Sequence, residues 1–207
     1  MDHCACFEPP GEIVLTRYAV IFDLELTAWE GSLARNWTDP GEFREVVQIG
    51  AVKLNTLSLK EVTSLNVFTR PTRNPILSDY FVTLTGISNE RLAREGVSFE
   101  AGYGAFLKFC GDADLWSYGR DPSVLNENIA LHGLEQELRA CEGKDISPWL
   151  RDAGLQLDGI NSGKLAALAG AAWKGREHDG LDDARSIAAA VRTLVTRGMV
   201  NPFTEHP

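Results

Sequence analysis

Two acidic residues interrupt an apolar segment that has the pattern of a β-strand. The segment runs from Arg17 to Leu26 (RYAVIFDLEL), and its alternation and β-forming residues predict a strand. With a side-chain period of two, Asp23 and Glu25 lie on one face, about 6–7 Å apart along the strand. The opposite face is apolar and consists of Val20, Phe22, Leu24 and Leu26. Because neighbouring carboxylates repel, the pair either binds a hard divalent cation or belongs to an edge strand with a solvated acidic face.

A second acidic run, HDGLDD at His178–Asp183, stands at the start of a helix that the sequence predicts over 181–198. At about 3.6 residues per turn, Asp183 falls on the apolar stripe of that helix. The stripe consists of Ile187, Ala190, Val191 and Leu194. Asp182 lies on the more polar side, within reach of Arg185. An aspartate on a buried stripe is costly unless a charge compensates it, so the periodicity predicts Asp183, not Asp182, as a metal ligand.

His178 lies in the turn before this helix, where Gly180 gives the backbone room to bend. A single histidine is more often an ordinary surface or core residue than a catalyst. Beside a predicted metal ligand, however, an imidazole that titrates near neutrality is suited to accept a proton. We therefore predict that His178 acts as a general base.

Asp121 is the third candidate ligand. It follows the predicted strand ADLWSYG (113–119) and opens the next helix. The ends of strands are where α/β folds collect functional groups, which favours a ligand. Asp121 followed by Pro122 also fits a helix N-cap with proline at the first helical position, so this alternative remains open.

The order of predicted elements indicates a mixed three-layer α/β fold. Strands are predicted at 17–26, 44–55, 58–70 and 113–119, with the second and third forming a hairpin, and 157–160 is a candidate further strand. Helical patterns cover most of 78–111. Further helices are predicted at 121–133, 146–154, 161–173 and 181–198. Helices on both faces of a mixed sheet follow from this alternation.

The charge balance limits the kinds of partner. A net charge of −9 is unlike a protein that grips long nucleic-acid duplexes through a basic surface. If the substrate is nucleic acid, metal ions rather than lysines must supply much of the attraction for phosphate, and a small-molecule or protein partner remains open. The sequence shows neither a run of about 20 apolar residues nor a signal-like start, so we expect a cytoplasmic location.

The cysteines do not form an obvious disulfide framework. Cys110 and Cys141 lie in helical patterns and are expected to be reduced, buried thiols. His3, Cys4 and Cys6 form half of a zinc site at most, and the alternative is a frayed terminus.

The order of these residues along the chain resembles the motifs of the DEDD superfamily of 3′→5′ exonucleases. Within that superfamily, the histidine resembles the DEDDh (DnaQ-like) branch, in which a histidine is the base. The family's Asp-x-Glu matches Asp23 and Glu25, its strand-end Asp matches Asp121, and its His-x4-Asp matches His178 and Asp183. The strings FDLELTAWEG, VVQIGAVKL, LTGIS and HDGLDDAR resemble the subgroup of Eri-type nucleases, the histone-mRNA 3′ exonuclease and KapD-like proteins.

The sequence departs from the family pattern at one place. Arg120 stands directly before Asp121, where the family often has an aromatic residue. Asp121 remains the predicted ligand because Leu125 follows at the family's Asp-x3-Leu spacing. Asp112 and Asp114 are the alternatives, although they precede the strand and so lie at its wrong end.

The resemblance implies a ribonuclease H-like αβα fold with a five-stranded mixed sheet. It implies a single exonuclease domain over 1–207, with a core at about 17–198 and terminal extensions at 1–16 and 199–207. It also implies two Mg²⁺ or Mn²⁺ ions per site, a water activated for in-line attack, and nucleoside 5′-monophosphate products. The implied metal ligands are Asp23, Glu25, Asp121 and Asp183, with His178 as the base.

The substrate implied by the resemblance is a single-stranded or short 3′ end of RNA, with single-stranded DNA as the competitor. In similar proteins two backbone segments flank the terminal nucleotide. Here these segments are Leu26–Thr27 and Leu84–Thr85. Trp29 and Trp37 either stack on a base or anchor the loop. A catalytically silent nucleic-acid-binding module and a small-molecule phosphodiesterase are the alternatives, which a cleavage ladder from the 3′ end would exclude.

Overall fold

The computed structural model describes residues 18–204, so His3, Cys4 and Cys6 lie outside the described residues. Five strands form one sheet in the order β3-β2-β1-β4-β5. Their bounds are β1 (Tyr18–Leu26), β2 (Val46–Asn55), β3 (Glu61–Phe68), β4 (Asp114–Ser117) and β5 (Gly143–Asp145). The predicted strands are present, and three of them are shorter at their ends than predicted.

The sheet is mixed, as the resemblance implied. The pairs β1–β2 and β2–β3 are antiparallel, whereas β1–β4 and β4–β5 are parallel. The candidate strand at 157–160 is wrong, because these residues form a turn in which the Ile160 N–H donates to the Leu157 carbonyl over 3.1 Å. The fifth strand is Gly143–Asp145 instead. Its three mostly exposed residues carry no alternating apolar pattern that the sequence could have revealed.

Seven α-helices and one 3₁₀ turn occur within residues 18–204. The helices are α1 (Asp79–Thr85), α2 (Asn89–Glu95), α3 (Phe99–Cys110), α4 (Asp121–Leu131), α5 (Ser147–Asp152), α6 (Leu165–Leu168) and α7 (Gly180–Thr196). The single helix predicted over 161–173 is wrong in extent. It is divided into the 3₁₀ turn Ser162–Lys164 and the four-residue α6, and Gly170 at φ 73° turns the chain away.

The two faces of the central strand β1 support separate apolar cores. Ala19 and Ile21 pack on one face with α7, while Val20, Phe22 and Leu24 pack on the other face with α3 and α4. Helices therefore cover both faces, which makes three layers. Because side chains alternate along a strand, the two acids of β1 continue the row that faces α7.

Parts of the chain beyond the predicted core also pack onto it. Phe203 is buried, and its ring lies 5.5 Å from that of Trp116 in an edge-on arrangement. Cys110 and Cys141 are free and buried, as predicted, although Cys141 lies just before β5 and not in a helix. Burial raises the pKa of each thiol to about 12, which keeps both protonated at neutral pH. No helix in the described part of the chain is long and apolar enough to span a membrane.

Candidate active site

Four carboxylates converge where the central strand β1 ends. Asp23 and Glu25 come from the end of β1, Asp121 from the first turn of α4, and Asp183 from the first turn of α7. Asp23, Glu25 and Asp183 are buried. Burial raises the pKa of Asp23 well above its ordinary value, and the negative charges of the three other acids raise it further. The structure thus brings together the four acids singled out from the sequence.

Glycines allow the start of α7 to approach the sheet this closely. Gly50 pairs with Asp23 across β1 and β2, and a Cβ at Gly50 would lie 2.0 Å from the backbone nitrogen of Leu181. Any side chain there would push α7 away. The N–H of Gly180 donates to the buried Gln48 side chain over 2.9 Å, which fixes the approach. A polar contact and two glycines therefore bring the first turn of α7 against β1.

Asp183 is the buried member of the aspartate pair, as the helical periodicity predicted. Its Oδ2 accepts hydrogen bonds from Ser162 Oγ at 3.2 Å and from the His178 N–H at 3.3 Å. Burial raises its pKa to about 7, although both hydrogen bonds oppose the shift. Asp182 is partly exposed, accepts the Arg176 N–H over 2.9 Å, and lies 3.8 Å from the guanidinium of Arg185.

Asp121 belongs to the site and is not a helix N-cap, so the capping alternative is wrong. Arg120 occupies the N-cap position and makes no side-chain capping bond, and Asp121 is the first helical residue. The pKa of Asp121 is raised to about 8, mainly by burial and further by the negative charge of Asp145. The positive charge of Arg44 opposes this rise. Asp114 begins β4 opposite Ala19, at the far end of β1 from the acids, which removes it as a ligand candidate.

His178 lies in a left-handed turn beside the carboxylates. Its φ is 60°, an uncommon value for a residue with a side chain and one often found at functional sites. One ring nitrogen lies within 4.8 Å of oxygens of Glu25 and Asp183. Burial lowers its pKa, and nearby Lys164 and Arg176 lower it further, while Glu177 opposes them. A lowered pKa keeps the imidazole neutral near pH 7, which is the form that accepts a proton.

The hydroxyls of the two threonines expected beside the nucleotide serve the fold. Thr27 Oγ1 donates to the Phe43 carbonyl over 2.5 Å and accepts the Glu45 N–H. Thr85 Oγ1 donates to the Phe81 carbonyl over 2.9 Å. Both residues are buried, and the backbone N–H and carbonyl of Thr27 are themselves hydrogen-bonded, to Glu45 and Trp37. The partly exposed residues of the predicted set are Leu26, Trp29 and Leu84, the last of which lines an open cavity of about 470 Å³.

Trp37 anchors the loop between β1 and β2. Its indole N–H donates to the Thr27 carbonyl over 2.7 Å, and the Arg44 guanidinium lies 5.2 Å from its ring. Asn36 and Trp37 both have left-handed backbone conformations, at φ 52° and 53°. Of the two alternatives for Trp37, the structure favours the anchor, and Trp29 is left as the tryptophan for a base.

The sequence did not reveal two arginines that lie close to the acids. Arg176 lowers the pKa of Glu25, against the raising effects of burial and three aspartates, and Arg44 lowers that of Asp121. No periodic pattern connects Arg44 with Asp121. For Arg176, its place two residues before His178 was the one available signal.

The donor set fits a divalent cation. Among the described residues, Oδ1 of Asp183 and Oδ2 of Asp121 are buried and have no hydrogen-bond partner. The buried Glu45 shows how the chain satisfies a structural carboxylate, because it accepts backbone N–H groups of Thr72, Arg73 and Asn74 at 2.6, 3.0 and 2.7 Å. Buried acids without donors need positive charge, and carboxylate oxygens suit hard divalent ions. The site is therefore a candidate metal centre.

Comparison with known proteins agrees with this fold and shows the family. The profile of the RNase_T exonuclease family matches residues 20–191. The ERI1 exoribonuclease 2 of Xenopus laevis is 22% identical over 227 residues, covering 91% of this chain and 30% of the relative. The 3′-5′ exoribonuclease 1 of Rattus norvegicus is 35% identical over 194 residues, covering 86% and 53%. The chain thus spans about a third to a half of the length of these relatives.

Solved structures show the same fold. The nuclease domain of 3′hExo, described as a DEDDh family member bound to rAMP, has a TM-score of 0.75 and 24% identity, covering 90% of this chain and 95% of that one. Cell-death related nuclease 4 has a TM-score of 0.71 and 18% identity, covering 89% and 65%. The fold places the protein in the class of ribonuclease H-like nucleases. The chain belongs to the RNase_T exonuclease family, and the resemblance to its DEDDh branch is confirmed.

Proposed function

We propose that this protein is a metal-dependent 3′→5′ exonuclease that removes nucleotides from single-stranded or short 3′ ends of RNA and releases nucleoside 5′-monophosphates. The observation that carries the proposal is the convergence of four acids, two of them with partnerless buried oxygens, beside a histidine with a lowered pKa. Membership of an exonuclease family and relatives named exoribonucleases support it.

The four acids would hold two ions, Mg²⁺ or Mn²⁺. When bound, these ions supply positive charge that attracts the scissile phosphate and stabilises the charge that develops on it. Asp23 belongs to the same cluster, because the charges of the three other acids all act on it. Asp183 is oriented by Ser162 and by the His178 backbone, which leave its Oδ1 free to bind. Such positioning matters more here than any covalent chemistry by the protein.

His178 takes the proton of the attacking water. The water attacks phosphorus and the bond to the 3′ oxygen of the preceding nucleotide breaks, so that a nucleoside 5′-monophosphate leaves and the 3′ oxygen takes up a proton from solvent as the new 3′ hydroxyl of the shortened chain. The contact of Asn161 Nδ2 with His178 Nε2 at 3.4 Å limits rotation of the ring. The left-handed turn at His178 holds the ring beside the carboxylates.

The polymer is proposed to be RNA rather than DNA. Several relatives carry names of exoribonucleases, and one solved neighbour is described as recognising the 3′ end of a histone mRNA stem-loop. The net charge of −9 favours short or single-stranded ends over long duplexes. The backbone at Leu26–Thr27 and at Leu84–Thr85 would flank the terminal nucleotide, and Trp29 would stack on its base.

Digestion of 5′-labelled oligonucleotides tests the proposal. With Mg²⁺ or Mn²⁺, we expect a ladder that shortens from a free 3′ hydroxyl, faster for RNA than for DNA of the same sequence, and none with EDTA. An oligonucleotide with a blocked 3′ end is the matched control and should persist. Binding without cleavage under every metal would indicate the silent module, and hydrolysis of only small phosphodiesters would indicate the other enzyme class.

A further inference from the structure

Arg176 lies at the mouth of the site and is not committed to any partner in the protein. Its backbone N–H donates to Asp182 over 2.9 Å, which ties its position to the start of α7. Among residues 18–204, however, its exposed guanidinium makes no hydrogen bond or ion pair. Nearby Lys164 differs, because its ammonium lies 3.6 Å from the carboxylate of Glu177. A guanidinium without a protein partner has its full set of donors available for a ligand.

A glycine makes room for this guanidinium. A Cβ at Gly86 would lie only 2.1 Å from Nη1 and 2.7 Å from Cζ of Arg176. Gly86 follows the last turn of α1 in a left-handed conformation, at φ 69°. The C-terminal end of a helix carries partial negative charge and favours a cation there. Arg176 therefore reaches from the turn before α7 across to the end of α1, where Leu84 and Thr85 are proposed to flank the terminal nucleotide.

The charge of Arg176 acts inside the site. Arg176 stands two residues before His178, and its charge lowers the pKa of both His178 and Glu25. A base that activates water must lie beside the phosphorus under attack. The guanidinium of Arg176 acts on His178 and Glu25 and lies at the end of α1. It is thus placed near the phosphate of the terminal nucleotide. A planar guanidinium can bind two phosphate oxygens at once.

We propose that Arg176 binds the phosphate of the terminal nucleotide, and that its guanidinium uses the space that the missing side chain of Gly86 leaves at the end of α1. This inference rests on the proposed function, since it presumes a 3′-terminal nucleotide in the site. It adds a substrate-binding residue from outside the four acids and the histidine. Arg176 makes the site select a nucleotide over a nucleoside.

Calorimetric titration with adenosine 5′-monophosphate and with adenosine, both in the presence of Mn²⁺, tests the proposal without any cleavage. The wild type should bind the monophosphate more tightly. Arg176→Ala should weaken the monophosphate by about tenfold or more, the usual loss for a charged hydrogen-bond donor, and leave adenosine unchanged. Arg176→Lys should retain part of the preference, because it keeps the charge but not the paired donors. Lys174→Ala, which removes an exposed cation from the same loop, is the matched control and should change nothing.

Gly86→Ala supplies an independent test. It should weaken the preference for the monophosphate and add nothing further to the loss in the double variant with Arg176→Ala, because both changes act on the same guanidinium. Its melting temperature must first show that alanine is accepted at this left-handed position, φ 69°. Equal monophosphate preference in the wild type and in a folded Arg176→Ala, as judged by melting temperature, would overturn the inference. The oligonucleotide digestion separates the two proposals. If the wild type digests RNA but Arg176→Ala still prefers the monophosphate over adenosine, only the role of Arg176 is refuted. If the preference depends on Arg176 but the wild type digests no oligonucleotide, only the proposed exonuclease activity is refuted.

Discussion

The floor of the site and its rim satisfy their polar groups in opposite ways. The floor consists of Asp23, Glu25, Asp121 and Asp183, and the rim consists of the loop 27–45, the end of α1 at 84–86 and the loop 169–179. On the rim, the Thr27 and Thr85 hydroxyls, the Trp37 indole and the Glu45 carboxylate all have hydrogen-bond partners within the protein. On the floor, buried carboxylate oxygens of Asp121 and Asp183 have none among the described residues.

The contrast shows which part of the molecule is built for stability. A buried carboxylate that contributes to folding is hydrogen-bonded, as Glu45 is to the backbone at 72–74. Burial and the other floor acids instead raise the pKa of Asp23 and Glu25, which marks a cluster that lowers stability until a cation binds. These rim groups are thus satisfied by the protein itself, while the floor acids are left for a cation.

The largest expected effect comes from removing a floor acid at the end of β1. Asp23→Asn should abolish cleavage, because Asp23 is the carboxylate on which all three other floor acids act. In the wild type Mg²⁺ or Mn²⁺ should raise the melting temperature, since binding only to the folded state stabilises it, and Asp23→Asn should lose most of that rise. Thermal melting with and without metal measures the rise in the wild type and its loss in the variant. Asp158→Asn, at an exposed aspartate, is the matched control. An unchanged melting temperature at millimolar metal would refute the floor as a metal centre.

The adjacent aspartates of α7 give the next largest difference. Asp183→Asn should lower turnover by orders of magnitude with little loss of fold, because it removes a buried floor acid. Asp182→Asn should be mild, since the amide oxygen can still accept the Arg176 N–H. Turnover and metal affinity of the two variants decide the matter. If both variants lose activity equally and keep equal metal affinity, Asp183 is not the metal-binding member of the pair.

The sequence predicted the floor well because regular elements carry it. A period of two placed Asp23 beside Glu25, and a period of about 3.6 separated Asp183 from Asp182. Asp121 was ambiguous, since an acid before proline also resembles a cap, and only the placement of Arg120 at the cap position resolved it. On the rim, Arg176 escaped prediction, because its approach to Gly86 joins distant loop residues with no shared periodicity.

His178 tests whether a rim residue can be removed without disturbing the floor. His178→Ala should still bind metal, while turnover falls by about 10²–10⁴-fold, the range for losing a general base. Because burial lowers the pKa of His178, wild-type turnover should rise with pH through an ionisation below the ordinary histidine value, and the variant should lose that limb. Single-turnover kinetics across pH measures this. Near-normal turnover in His178→Ala would show that histidine is not the base.

The metal-free floor should make stability fall as pH rises. Burial raises the pKa of Asp183 to about 7 and that of Asp121 to about 8, so between pH 6.5 and 8 the folded state holds protons that the unfolded chain, with carboxyl pKa values near 4, has already lost. Each group so displaced lowers stability by up to about 1.4 kcal/mol per pH unit. This window lies above the ordinary histidine pKa, so His132 and His178, whose pKa values are lowered, contribute little.

Urea unfolding in EDTA at pH 6.5 and 8 measures this fall. Saturating metal should reduce or reverse it, because ions bind the deprotonated carboxylates. Asp183→Asn removes one of the titrating groups and should flatten the curve in EDTA. Stability that rises with pH in EDTA would mean that the floor acids are ionised and satisfied without metal, and the contrast with the rim would be lost.

The smallest expected effect concerns a rim anchor. Trp37→Phe keeps an aromatic ring beneath Arg44 but removes the N–H that donates to the Thr27 carbonyl over 2.7 Å. The lost bond should lower the free energy of unfolding by about 1 kcal/mol, with metal dependence unchanged. Trp29→Phe is the control from the same loop, because the Trp29 indole N–H makes no hydrogen bond within residues 18–204. Trp29→Phe should leave the free energy of unfolding unchanged. If a base stacks on this side chain, the variant should change KM instead. Equal stability losses in the two variants would show that the loop is held by ring packing rather than by the hydrogen bond of Trp37.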